Sequence, residues 1–273
     1  TKMRDDNSHL TQRSKRLAPI LYQSSCLDFG EFTLTSGKKS PYYVDLRLLP
    51  SYPRLFDRVA DMAAELVKEA TIDFEVVSAV PTGGLPFATM LSQKLKKPLT
   101  YARKSGKSHG EERKVEGKME QGDRALVVDD IITTGGSILE AVESIRKNGG
   151  EVEDVLVILD RTEGGKDNLQ HEGLRLHKIG DIGPVVEELR DKGKISRDMS
   201  DKVEQYLAER GYSGEQCFRG KRFYHDTRQI QGRARVRHGQ GPAHGKVQKY
   251  RYGLRQRALD GNIVFRTEHP DQN

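Results

Sequence analysis

Between residues 75 and 160, short aliphatic runs alternate with stretches of helical periodicity, and this alternation decides the fold class. Glu75 to Val80, Leu99 to Ala102, Arg124 to Asp130 and Val155 to Asp160 read as strands. Leu55, Val59, Met62, Leu66 and Ala70 fall on one face of a helix that precedes them. A second helix is expected from Pro86 to Lys96. A third runs from Ser137 to Lys147, with Ile138, Ala141, Val142 and Ile145 inward and Asn148-Gly149-Gly150 as its C-cap. Strands joined through helices of this length require crossovers. The prediction is therefore an α/β fold with a central parallel sheet flanked by helices.

Around this centre the signals are weaker. Residues 1–14 are polar and read as a frayed start, and Pro19 opens a short helix through Leu27. Phe32 to Asp45 reads as two short strands around a Ser-Gly turn, a small N-terminal hood. Arg103 to Gln121 is charged and aperiodic, and reads as a long mobile loop. Two further helices are expected at Pro184–Lys192 and Arg197–Arg210.

Composition excludes several classes. The longest aliphatic run, Val155 to Leu159, has five residues, whereas a membrane span needs roughly 20. No apolar segment follows the basic start, so no secretory signal is expected. Cys26 and Cys217 are too few for a disulfide framework or a four-cysteine zinc site, and His171 and His177 have no ligand spacing. Cys26 is expected to fill the core, and a reducing, cytoplasmic setting fits best. The formal net charge is +6, but residues 219–273 alone hold 13 Lys/Arg against 4 Asp/Glu. The chain thus divides into a polar segment 1–14, a mildly acidic domain 15–218 and a basic extension 219–273. Arginines interspersed with Phe223, Tyr224, Tyr250 and Tyr252 make the extension the one place where nucleic acid could bind. A solvated or disordered appendage is the plainer reading.

The chemistry is concentrated in Val127-Val128-Asp129-Asp130-Ile131-Ile132-Thr133-Thr134-Gly135-Gly136-Ser137. A hydrophobic strand delivers two adjacent carboxylates at its C-terminal end, where ligands of parallel sheets bind. A Thr/Gly turn then opens a helix whose first amides form a phosphate cradle, with the hydroxyls of Thr133, Thr134 and Ser137 as further donors. No Gly-Lys-Thr/Ser follows, so this is not a Walker loop. Carboxylates beside a phosphate cradle must face something else, such as ribose hydroxyls or a divalent cation. The implied ligand is a phosphorylated sugar.

That run resembles the phosphoribosyl-pyrophosphate (PRPP) signature of type I phosphoribosyltransferases. Three further segments resemble the orotate phosphoribosyltransferase family in order and spacing. They are Phe32 to Tyr43, Arg103-Lys104-Ser105-Gly106-Lys107-Ser108-His109-Gly110, and Leu159-Asp160-Arg161. The resemblance covers about residues 15–212. It implies the type I phosphoribosyltransferase fold and formation of orotidine 5′-monophosphate from orotate and PRPP, in pyrimidine biosynthesis. Mg²⁺ would be carried on PRPP, with no direct metal ligand in the protein. It further implies PRPP contacts at Arg103, Lys104, Lys107, His109 and the run from Asp129 through Ile131, Ile132, Thr133, Thr134, Gly135 and Gly136 to Ser137. Lys107, His109, Asp129 and Asp130 would be catalytic. Thr133, Arg161, Tyr43 and Val44 would contact orotate, although Arg161 could instead pair with Asp160 or Glu163. In the family the Arg103–Gly110 loop reaches the neighbouring subunit's site, which implies a homodimer.

The sequence departs from bacterial members at two positions. Thr35 stands where many have a lysine before Ser-Gly, and Thr82-Gly83 where many have Tyr-Lys, a form similar to archaeal members. The pyrophosphate site is therefore short of cations, with Lys38 and Lys39 the nearest replacements. Two rivals remain, a purine phosphoribosyltransferase and a PRPP-sensing regulator that binds nucleic acid through the extension.

Overall fold

Leu17, Ala18, Ile20 and Leu21 are all sealed from solvent, and burying this face makes the N-terminus helical. A computed structural model describes residues 2–33, 37, 39–102 and 115–209, with side chains from residue 8 onward. The Arg103–Gly110 loop, Thr35, Lys38, Cys217 and the extension 219–273 lie outside the described residues. Helix α1 runs from Lys2 to Gln23 with Pro19 inside it, which corrects the expected frayed start and short helix. An internal proline costs about 3 kcal/mol. Four buried apolar side chains on the surrounding turns, at about 1.5–3 kcal/mol for each large aliphatic, outweigh it. Arg13 and Arg16 then reach Glu69 and Glu65 on the next helix, each at 3.1 Å.

The hood is a hairpin of β1 (Leu27–Thr33) and β2 (Lys39–Val44), antiparallel, with a bulge between Phe29 and Phe32. A 3₁₀ turn, Leu46–Ser51, leads into α2 (Pro53–Glu69). The chain continues through β3 (Val76–Ala79), α3 (Gly84–Leu95), β4 (Leu99–Ala102), β5 (Val115–Glu116) and β6 (Ala125–Ile132). It closes with α4 (Gly136–Lys147), β7 (Asp154–Asp160), α5 (Gly165–His171), β8 (Arg175–Asp181), α6 (Ile182–Asp191) and α7 (Arg197–Ala208). Six strands form one sheet in the order β5-β4-β3-β6-β7-β8, parallel except for the short edge strand β5. Alternate residues of β6 and β7 enter two cores. Leu126, Val128, Leu156 and Ile158 pack on the side of α1, α2, α3, α6 and α7, whereas Val127, Val155 and Val157 pack on the side of α4 and α5. The α/β expectation holds, and Cys26 is buried as expected. Helix α7 braces the hood, its Tyr206 ring edge-on to buried Tyr42 at 5.7 Å.

Strand β8, β5 and α5 were not anticipated. Arg175, His177 and Lys178 break the apolar pattern of β8, yet each has a carboxylate partner. Arg175 forks onto Asp154 with two bonds of 2.8 Å. His177 Nε2 lies 2.7 Å from the same carboxylate, so it is a paired, half-buried group rather than a surface histidine. Burial works against the charge of Asp154, but its bonds to Arg175 and His177 prevail and hold the carboxyl below the ordinary carboxylate range. A depressed acid stabilises the fold above its unfolded value and loses that contribution as pH falls through the folded one. Asp154→Asn is therefore expected to lower stability at pH 7 by about 1–3 kcal/mol. It should also flatten the fall in stability below about pH 4, as read by urea denaturation across pH.

Candidate active site

The parallel sheet reverses its strand order between β3 and β6. The chain leaves β3 for β4 on one side and β6 for β7 on the other, and such switch points open a crevice at the carboxyl ends of the strands. A cavity of about 620 Å³ lies there. Three segments line it: Val44 to Arg47 after β2, Val80 to Gly83 after β3, and Asp129 to Ile138 at the end of β6 and the start of α4, with Glu140.

Asp129 and Asp130 are buried among the last residues of β6. Each carboxylate accepts the next residue's amide, Asp130 N–H to Asp129 Oδ1 and Ile131 N–H to Asp130 Oδ1, both at 2.9 Å. Burial pushes the Asp130 carboxyl above the ordinary range, against the hydrogen bonds it shares with Asp129 and the backbone. Gly83 explains how this carboxylate fits. A Cβ on Gly83 would lie 2.5 Å from both Asp130 carboxylate oxygens, so the carboxylate occupies the space a side chain would need. Gly84 begins α3 equally close to the strand, its absent Cβ 2.5 Å from the Val128 carbonyl oxygen.

At the other end of the run, Gly135 caps α4 with a φ of 85°, a left-handed turn that favours glycine. No side chain caps α4, which leaves its first-turn amides for a ligand. The turn is held from outside by Asn168 Nδ2, which donates to the Thr134 carbonyl at 2.9 Å. One cavity thus joins two anionic groups to an amide-lined, hydroxyl-bearing turn. Ile131, Ile132, Thr133, Thr134, Gly135, Gly136 and Ser137 all lie on its wall, as does Val44.

The remaining expected residues lie elsewhere. Arg103, Lys104, Lys107 and His109 fall outside the described residues. Tyr43 is off the cavity wall and exposed, its ring 5.6 Å from that of Phe32. Its neighbour Tyr42 is the one turned inward, because successive strand residues face opposite ways. Arg161 stands beside the wall, its amide donating to the Ile132 carbonyl at 3.0 Å. Its guanidinium lies over the Tyr42 ring, and Nε donates to the Tyr42 hydroxyl at 3.3 Å. Nη2 is 2.9 Å from Glu163 Oε1, yet at an angle that leaves both atoms without a hydrogen bond among the described residues. Lys39 sits on β2 and does not line the cavity. The sequence reading missed Asp45 and Arg47. The available signal was an acid and an arginine two residues apart, just after a strand.

Residues 49–175 match the family model of the phosphoribosyl transferase domain. The chain is 42% identical over 187 residues to the orotate phosphoribosyltransferase of Sulfolobus acidocaldarius, covering 68% of this chain and 93% of that protein. It is similar to the crystal structure of orotate phosphoribosyltransferase from Aeropyrum pernix, with a TM-score of 0.56 and 36% identity over 63% of this chain and 98% of that one. The Mycobacterium tuberculosis orotate phosphoribosyltransferase in complex with PRPP gives a TM-score of 0.52 at 28% identity, over 63% and 98% of the two chains.

Proposed function

The chain belongs to the orotate phosphoribosyltransferase family, and we infer from this that it joins orotate to the ribose 5-phosphate of PRPP. The products are orotidine 5′-monophosphate and pyrophosphate, a step of pyrimidine biosynthesis. The observation that carries the reading is the single cavity whose wall holds both Asp129 and Asp130 and the uncapped start of α4. A ribose 5-phosphate matches both, with its hydroxyls on the carboxylates and its phosphate on the turn from Thr133 to Ser137.

In the reaction the bond from C1 of the ribose to the pyrophosphate oxygen breaks, and a ring nitrogen of orotate bonds to that carbon. The orotate nitrogen is already anionic in its reactive form, so no strong base is required of Asp130. The protein's part is positioning and electrostatics. Asp129 and Asp130 orient the ribose and face the positive charge that develops on it, and Thr133 borders the base. The planar fork of Arg161 suits the orotate carboxylate, which would compete with Glu163 for Nη2. Arg103, Lys104, Lys107 and His109 are the cations expected to hold the leaving group and, as in the family, to reach the site of a second copy in a homodimer.

The donor set also fits Mg²⁺ carried by substrate. The ion would be held by the diphosphate and the ribose hydroxyls, with the negative charge of Asp129 and Asp130 beside it and no protein ligand of its own. When bound, Mg²⁺ would neutralise charge on the diphosphate. In this reading the transferase domain is residues 15–218 together with the N-terminal part of α1, which corrects the expected boundary at residue 14, and 219–273 is an appended basic segment. The setting is a reducing cytoplasm. No helix of the described residues is long and apolar enough to cross a membrane.

The test is a panel of orotate, uracil, adenine and hypoxanthine, each incubated with the full chain, PRPP and Mg²⁺. Turnover of orotate alone is expected. Turnover of a purine base would replace this reading with a purine phosphoribosyltransferase. No turnover, together with salt-dependent RNA binding, would replace it with a regulator.

A further inference from the structure

The wall of the cavity is strongly unbalanced in charge. Asp45, Asp129, Asp130 and Glu140 all line it, whereas Arg47 is the only Lys, Arg or His among the described lining residues. A diphosphate leaving group carries several negative charges and needs donors that are themselves charged. Position 83 offers no such donor, because glycine stands there and the Asp130 carboxylate occupies the space where a side chain would start. Besides the cations expected on the Arg103–Gly110 loop, the described wall offers Arg47.

Arg47 is built for this. It lies in the link from the hood to α2 and lines the same cavity as the Gly83 turn. Asp45 grips one edge of its guanidinium, with Nε to Oδ1 at 2.7 Å and Nη2 to Oδ2 at 2.8 Å. Asp45 Oδ1 also accepts the Arg47 amide at 3.1 Å, so side chain and backbone are fixed together. Nη1 has no hydrogen bond among the described residues, which leaves its two N–H groups and the second N–H of Nη2. Arg47 and Asp130 also act on each other electrostatically across the cavity.

We propose that Arg47, oriented by Asp45, is a binding residue for the pyrophosphate portion of PRPP, supplied by the hood link in place of a cation at position 83. This rests on the transferase reading above and extends it to a residue outside the Asp-Asp-Thr-Gly run. Arg47 touches the leaving group and not the base, so its loss acts on one ligand and spares the others. Asp45 is a positioning residue, acting only through the guanidinium it holds.

The experiment is calorimetric titration of the full chain with inorganic pyrophosphate and Mg²⁺, and separately with orotidine 5′-monophosphate, using the parent, Arg47→Ala, Arg47→Lys and Asp45→Asn. Circular dichroism melting checks that each variant is folded. Arg47→Ala is expected to weaken pyrophosphate at least about tenfold, or about 1.4 kcal/mol, and to leave orotidine 5′-monophosphate within about twofold. Arg47→Lys keeps the charge but loses the fork, so it should lie between parent and alanine. Asp45→Asn should weaken pyrophosphate less than Arg47→Ala does. Unchanged pyrophosphate affinity in Arg47→Ala, or an equal loss of both ligands, overturns the assignment of Arg47. If the parent still turns over orotate in that case, the transferase reading stands. A parent that binds neither pyrophosphate nor orotidine 5′-monophosphate overturns both.

Discussion

Asp130→Asn is expected to reduce kcat/KM for PRPP by about two to three orders of magnitude, as does loss of other preorganised groups facing developing charge. The change is isosteric. The asparagine carbonyl can still accept the Ile131 amide that Asp130 Oδ1 now holds at 2.9 Å, so the turn keeps its shape. What disappears is a negative charge beside the sugar as its bond to pyrophosphate loosens. Stability should move the other way. Burial pushes the Asp130 carboxyl up, so its ionised form at pH 7 works against folding, and the neutral amide removes that opposition. The variant is expected to melt no lower than its parent. Asp129→Asn should lose activity similarly, and the double variant should fall below what the steady-state assay detects. Full activity in Asp130→Asn would separate the carboxylate from the chemistry.

The two neighbouring glycines at the start of α3 are expected to fail in different ways. At Gly83 the nearest atoms to an added methyl are the end of the Asp130 side chain, 2.5 Å away. The backbone there is helical, with φ −64° and ψ −41°, a conformation alanine adopts freely. Gly83→Ala therefore rotates the carboxylate away and loses PRPP turnover by about a hundredfold, with little change in melting temperature. At Gly84 the methyl meets the Val128 carbonyl oxygen at 2.5 Å and the Asp129 α-carbon at 2.9 Å. Backbone cannot rotate away, so α3 must lift from β6. Overpacking of this kind costs about 1–3 kcal/mol. Gly84→Ala should show that loss in denaturant titration as well as reduced activity. Equal melting temperatures for the two variants would contradict the distinction.

Legibility followed the physics of each segment. Strands β3, β6 and β7 are buried almost throughout, so each carries a run of consecutive apolar residues, and α2 and α4 show a clear inward stripe. The Asp129–Ser137 run was readable because its parts are contiguous. Strand β8 was not, since its charges are paired with Asp154 and Asp160, partners about 20 residues away in sequence. Helix α1 was hidden by Pro19 and by polar residues whose ion partners lie on α2. Tyr42 is buried and Tyr43 exposed, and nothing local tells which of two adjacent strand tyrosines faces inward. Arg47 was missed for the same kind of reason. Its importance comes from the segments that share the cavity wall with it, the Gly83 turn and the end of β6, and those are distant in the chain.

The central claim is that the paired carboxylates and the start of α4 hold opposite ends of one sugar phosphate. A crystal structure of the chain with orotidine 5′-monophosphate tests it most directly. The account predicts phosphate oxygens within about 2.7–3.2 Å of the amides of Gly136 and Ser137, with the ribose hydroxyls on Asp129 and Asp130. A nucleotide bound with its phosphate away from that turn, or with both carboxylates facing solvent, would contradict it.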